Sequence, residues 1–201
     1  MIINKISITG LGYVGLQVAI AFAKKYSTIG FDINKDRINE LKKNFDRTNE
    51  VSKKQLLNSK LLFTHHIKDL KECNFHIVAV PTPINNRNEP DLKILKQATK
   101  NIARILKNND IVIYESTVYP GLTEEICIPI LEKISGLKNI SQFQVGYSPE
   151  RINPGDKKNN FMKINKLVSA QTSKSLNIIY KVYSNVTNGK IIKVKTIKEA
   201  E

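Results

Sequence analysis

The sequence predicts a doubly wound α/β domain built on a Rossmann-like, mostly parallel sheet, and three observations carry that prediction. Apolar runs of strand length alternate with helical patterns from end to end. Residues 75–80 form an almost unbroken apolar run, as a parallel strand covered on both faces requires. Gly10-Leu11-Gly12-Tyr13-Val14-Gly15 leaves the first strand and opens the first helix, which is where this fold class meets its ligand.

The elements follow in order. Ile6 and Ile8 mark a first strand over 6–9, and Val18, Ile20, Ala21 and Phe22 supply the apolar contacts of a helix over 14–25. A second strand covers 28–31, and a helix over 35–44 buries Ile38 and Leu41. Ser52 with Gln55 makes a capping box for a short helix reaching Leu57, before a third strand at 61–64. Beyond the strand at 75–80, Leu92, Leu95, Ile102 and Leu106 sit at helical spacing over 91–106. A strand at 111–114, a helix at 122–134 and a strand at 143–147 come next. Strands at 166–170 and 190–194 enclose a helix at 173–183. No repeat or low-complexity segment interrupts the series.

A chain of 201 residues suits one domain, or one domain and the start of another. It buries roughly 70% of the surface its unfolded form exposes. Cys73 and Cys127 have neither a disulfide framework nor metal-ligand spacing. No stretch reads as a signal peptide, and no apolar run approaches the ~18 residues of a membrane span, so a cytoplasmic setting away from membranes is expected. The net charge of +14 invites a nucleic-acid partner. Against it, only five of the cations are Arg, the residue that base readout favours, and the lysines are spread along the chain. No nucleic-acid partner is expected; a solvated face with a weak pull on anions is the better reading.

The glycines have a physical task in their setting. Gly10 lets the chain turn off the strand, Gly12 lets backbone approach a pyrophosphate, and Gly15 lets the next helix pack close to the sheet. Free N–H groups and the positive helix end then face the phosphates. Asp32, at the end of the second strand, accepts hydrogen bonds from an adenosine ribose and repels a 2′-phosphate. NAD is therefore expected over NADP, with the Asp32 carboxylate exposed in the free protein.

Three further loops follow strands: Val80-Pro81-Thr82-Pro83, Glu115-Ser116-Thr117-Val118-Tyr119-Pro120-Gly121, and Ser148-Pro149-Glu150-Arg151-Ile152-Asn153-Pro154-Gly155. Proline and glycine punctuate loops everywhere, so each loop alone has a competitive structural explanation; for four at one sheet edge that explanation is weak. Together, in this order and spacing, they resemble the UDP-glucose/GDP-mannose dehydrogenase family over nearly the whole chain. The SPERINPG form is most similar to the branch acting on UDP-N-acetylhexosamines for surface polysaccharides, including the Vi-antigen type.

The resemblance implies oxidation of a sugar CH2OH to a carboxylate in two NAD-dependent steps. A cysteine captures the aldehyde, and the resulting thioester is hydrolysed. It further implies that Tyr13 and Val14 lie against the pyrophosphate, Asp32 and Arg37 flank the adenosine, and Thr82 lines the nicotinamide side. Thr117 is implied near the reacting carbon, serving both cofactor and catalysis. Glu150 matches the glutamate that assists hydrolysis, and Arg151 and Ile152, with Glu150, touch the sugar nucleotide. Some members carry a second glutamate where this chain has Pro154. Family members also continue from an Ala-Glu pair into a long central helix and a second domain with the nucleophilic cysteine. Ala200-Glu201 occupies the place of that pair.

The expected organisation is an NAD-binding domain over 1–195 and the start of the central helix at 196–201. Cys127, inside a helix, and Cys73, at the amino end of a strand, are not expected to act as the nucleophile. His65, His66 and His76 lie away from the four loops, and no metal site is expected. The chain is thus expected to be a truncated half-enzyme, inactive alone, whose UDP-N-acetylhexosamine substrate requires the other half. Uncovered apolar surface favours a homo-oligomer or a separately encoded partner half. A non-catalytic NAD(H)-binding module remains the alternative.

Overall fold

The computed structural model describes residues 3–85, 87–152 and 161–201. Strands β1 (Ile6–Thr9) and β2 (Thr28–Phe31) are linked by helix α1 (Gly15–Ala23). Helices α2 (Lys35–Lys42) and α3 (Lys53–Leu57) lead to β3 (Leu62–Thr64), and a 3-10 turn (Ile67–Leu70) leads to β4 (Phe75–Val78). Helix α4 (Lys93–Ala103) precedes β5 (Ile111–Tyr114), and α5 (Ile128–Ser135) precedes β6 (Gln144–Tyr147). The chain closes with β7 (Lys166–Ala170), α6 (Ser173–Val186), β8 (Ile191–Lys193) and α7 (Ile197–Ala200).

The strands form one sheet in the order β3-β2-β1-β4-β5-β6-β7-β8. Pairs from β3 through β6 are parallel, β7 is antiparallel to β6, and β8 runs parallel to β7. The order reverses between β1 and β4, which opens a crevice at their carboxyl ends.

Strand period two distributes the core over both faces. Ile6, Ile8, Phe75, Ile77, Ile111 and Ile113 pack with α1 and α6 on one side. Val78, Val112, Tyr114, Val145 and Tyr147 pack with α4, α5 and α7 on the other. The capping box of Ser52 and Gln55 is present. Helix α6 runs three residues past its expected end because Val186 still packs into the core. The helix expected at 122–134 opens instead with a wide π turn, Thr123–Cys127. Pro129 explains it: proline has no N–H for the carbonyl of residue 125, and its ring clashes there, so the preceding turn widens.

Arg37 and Asp46 lock the loops beneath the glycine turn. The buried Arg37 side chain donates from Nε to the Leu11 carbonyl (2.8 Å) and pairs with Asp46 Oδ1 at 2.7 Å. Asp46 also accepts from the amides of Thr48, Glu50 and Val51. Burial pushes its carboxyl up, but the hydrogen bonds from Thr48, Val51 and Arg37 outweigh that and hold it below the usual value. Arg37→Met should therefore destabilise the fold by about 3 kcal/mol at neutral pH, because a buried carboxylate loses its cation. The folded value is depressed, so this contribution is present above the unfolded Asp value of about 3.9 and lost as pH falls through the folded one. Urea titrations of both proteins at neutral and acid pH measure it; the gap should shrink in acid.

Candidate functional site

The four loops singled out from sequence all leave the carboxyl edge of the parallel strands, around the reversal between β1 and β4. Each continues its ladder by one more bond: Gly10 N–H donates to Phe31 O, Ala79 N–H to Thr9 O, Glu115 N–H to Val78 O and Ser148 N–H to Tyr114 O. Side chains then stitch neighbouring loops. Ser116 Oγ donates to the Val80 carbonyl at 2.7 Å, and Thr82 Oγ1 to the Thr117 carbonyl at 2.5 Å. Tyr147 OH donates to the Ser116 carbonyl at 3.1 Å.

In the glycine turn Gly10 has φ +93°, and a Cβ there would meet Ala79 O at 2.7 Å. A Cβ on Gly15 would fall on the Gly10 carbonyl oxygen. Gly12 is different: nothing lies within 4 Å of where its Cβ would be, and the residue is exposed. The open space beside its backbone leaves room for a ligand to approach closely. Helix α1 opens onto that space with no side-chain cap and no acidic residue in its first turn, leaving its positive end to a ligand anion. Tyr13 is exposed and Val14 half-buried beside it.

Asp32 sits at the end of β2, but half-buried rather than exposed as expected. Its Oδ2 accepts from Leu11 N–H (2.8 Å) and its Oδ1 from Asn34 N–H (2.9 Å). The carboxylate thus holds the glycine turn while each oxygen keeps a lone pair for a ribose hydroxyl. Arg37 is buried beneath the same turn, its guanidinium committed to Leu11 O and Asp46.

Across the crevice, Thr117 is exposed and Thr82 half-buried. Glu150 Oε1 accepts from the amides of Arg151 (2.7 Å) and Ile152 (2.5 Å), while Oε2 is buried without a hydrogen-bond partner among the described residues. Burial pushes this carboxyl above the usual value, Lys166 opposes that and Glu115 adds to it. One oxygen is thus oriented by two amides, and the other is shielded from solvent. The Arg151 side chain is exposed, whereas that of Ile152 packs into the core, leaving only its main chain to face a ligand. Pro154 and the end of the SPERINPG run lie outside the described residues.

Sequence reasoning missed Lys166. Its ammonium is fully buried, 2.9 Å from Glu115 Oε2, and Tyr183 OH donates to Glu115 Oε1. One lysine among many carries no distinguishing signal except its place at the head of an apolar strand.

Both cysteines are sealed. Burial pushes the Cys73 thiol up to about 12 and the Cys127 thiol to about 11. Ser7, His76 and Asp110 line up as a nucleophilic triad would, with Ser7 Oγ 2.7 Å from His76 Nδ1 and Asp110 Oδ2 3.4 Å from Nε2. All three are buried, Ser7 completely, so no substrate reaches the hydroxyl. His65 and His66 pack ring against ring at 3.9 Å. Among the described residues no group of three metal-ligating side chains forms, and no helix is long and apolar enough to cross a membrane.

A glycine turn at an uncapped helix end, with an acidic strand end beside the sheet reversal, defines a dinucleotide-binding domain of the dehydrogenase class. The chain belongs to the UDP-glucose/GDP-mannose dehydrogenase family: residues 4–187 match the model of that family's NAD binding domain. NAD is accordingly the cofactor of this domain. The protein CapL of Staphylococcus aureus is 53% identical over 198 residues, covering 98% of this chain and 47% of the relative. A UDP-N-acetyl-D-glucosamine 6-dehydrogenase of Salmonella typhi is 48% identical over the same shares. Among solved structures, the UDP-D-ManNAc dehydrogenase of Pyrococcus horikoshii superposes with a TM-score of 0.87 at 30% identity, covering 98% of this chain and 48% of that one. The chain spans about half the length of the curated relatives it matches.

Two outcomes are expected. Calorimetric titration should give tighter binding of NAD than of NADP, and Asp32→Ala should narrow that difference while weakening both, since the Leu11 amide loses its acceptor; equal affinities in the unaltered chain would remove the argument from Asp32. A chromogenic thiol reagent at mildly alkaline pH should find neither cysteine in the folded protein and both after denaturation, because raised pKa values and burial suppress the thiolate.

Proposed function

We propose that this chain is the cofactor-binding half of a nucleotide-sugar 6-dehydrogenase that oxidises the CH2OH of a UDP-N-acetylhexosamine to a carboxylate in two NAD-dependent steps, for surface polysaccharide synthesis. The observation that carries the reading is the meeting, at one sheet edge, of the Gly12 turn with the linked Thr82 and Thr117 loops and the half-satisfied Glu150 carboxylate. The 48% identity to a Salmonella typhi enzyme named for UDP-N-acetyl-D-glucosamine supports the substrate class.

NAD supplies the hydride acceptor when bound. In this reading Gly10, Gly12 and Gly15 shape the turn, and its backbone, with Tyr13 and Val14, receives the pyrophosphate. Asp32 orients the ribose, and Arg37, by holding the Leu11 carbonyl, keeps the adenosine side of the turn in place. Thr82 borders the nicotinamide, and Thr117 holds a water or substrate oxygen near the reacting carbon. Glu150 acts as the base toward the hydrolytic water, while Arg151 and the Ile152 main chain face the sugar nucleotide. Neither Cys73 nor Cys127 is placed to trap an aldehyde, so the covalent step belongs to a second, cysteine-bearing half reached through a helix that begins with α7. The same reading places the protein in the cytoplasm, as a complex with that half or a homo-oligomer.

The test is NADH formation from UDP-N-acetylglucosamine and UDP-N-acetylgalactosamine, by the chain alone and with the second half of the Salmonella typhi relative supplied as a separate chain. Turnover should appear only with both, and Glu150→Gln should slow it at least ~100-fold, within the range for loss of a general base. Turnover by the chain alone would overturn the reading. Cofactor binding with no turnover in any combination would favour a non-catalytic NAD(H)-binding module.

A further inference from the structure

The strand β7 reverses direction beside β6, and the reversal brings a cation to the carboxyl edge. Gly146 pairs with Ala170 and Tyr147 with Ser169. Continuing that antiparallel register brings Lys166, the first residue of β7, level with Glu150. A parallel β7 would carry its first residue to the opposite edge of the sheet. On the other side of β6, the parallel register with β5 sets Tyr114 beside Tyr147, so Glu115 leaves β5 next to the same loop.

The pair these residues form is unusual in its surroundings. Both side chains are fully buried, with Lys166 Nζ 2.9 Å from Glu115 Oε2. The ammonium lies 4.9 Å from the Phe161 ring centroid and 5.9 Å from that of Tyr183. Such a pair is a weak source of stability, because desolvation offsets its attraction. Its field, however, is little screened by water. The described ionisable groups acting on or lying near Glu150 are Lys166 of β7, Glu115 at the end of β5, Tyr147 of β6, Tyr183 of α6 and the exposed Arg151 beside it.

We propose that Glu115 and Lys166 are positioning residues for Glu150: their buried ion pair sets the potential at its carboxylate, and with it the pH at which Glu150 takes up a proton. The inference rests on the reading of Glu150 as the residue that activates water. A base must be ionised to work, and burial opposes ionisation. Lys166 counters burial with positive charge. Glu115 holds the ammonium at 2.9 Å and itself accepts from the Tyr183 hydroxyl, so its charge opposes that of Lys166 at Glu150. Among the described residues Oε2 has no hydrogen-bond partner, and it is shielded from solvent. Neither residue touches substrate in this scheme; both act through Glu150.

The two halves of the pair therefore have opposite effects, which a merely structural role would not produce. Carboxyl-carbon NMR on the chain carrying isotope-labelled glutamate reads the Glu150 titration directly, with Glu150→Gln assigning its signal. Lys166→Met should move the titration upward by about one pH unit, and Glu115→Gln downward by less. Lys166→Arg should stay close to the unaltered chain. Removing one member can unfold the protein by stranding a buried charge, so Glu115→Leu combined with Lys166→Met is the second arm. It removes the pair without leaving a charge behind, and it should shift Glu150 upward, because the Lys166 contribution is the larger. Shifts in the same direction for the two single variants, or an unmoved Glu150 in the folded double variant, would overturn the proposal. The titration requires neither substrate nor turnover. A failed shift leaves the functional reading standing, and a failed turnover assay leaves the titration result standing.

Discussion

Helix α1 lies against the sheet at a distance that only glycine permits, and much of the molecule depends on that approach. The Gly15 Cα faces the Gly10 carbonyl with no room for a side chain, and Gly10 itself crosses to positive φ close to Ala79. Because the helix is this close, Leu16, Val18, Ala19 and Phe22 can be buried on one face of the sheet. The same approach leaves the helix N-terminus, unfilled by any side chain, open at the sheet reversal. Packing and anion binding are therefore consequences of a single steric condition.

Around that condition the protein places charge in two sealed pairs with different tasks. Arg37 and Asp46 tie the glycine turn to the segment after α2, and the network is satisfied on several sides by amides. Glu115 and Lys166 sit under the opposite lip of the crevice, walled by Phe161 and Tyr183. One pair orders the side that faces a dinucleotide. The other lies behind the loop that carries Glu150. Both are shielded from water, so removing one member of either would strand a buried charge.

The local chemistry of the loops was legible in the chain. Glycines in a strand-to-helix turn, an acidic residue at the next strand end and the Ser52–Gln55 box each act within a few residues, so spacing alone reveals them. Helix and strand positions were also readable, because alternate burial leaves a period in the sequence. What was illegible depended on partners far away in the chain. Arg37 is written like any exposed helix residue, and nothing nearby announces Asp46. Asp32 reads as a free carboxylate, yet Leu11 N–H already occupies one of its oxygens. Ile152, in a loop that otherwise looks exposed, turns its side chain into the core. The π turn before α5 follows from Pro129, two residues past its end.

By itself, the sequence determined the fold class, the dinucleotide turn and the four loops that meet at one edge. These follow from short-range patterns whose physics is local: steric freedom at glycine, proline geometry and the burial period of strands and helices. Only the tertiary structure decided the direction of β7, and hence that Lys166 stands at the edge bearing Glu150 rather than at the other. Strand direction is set by how connections pack across the whole sheet, and a lone lysine at the head of an apolar run carries no trace of it.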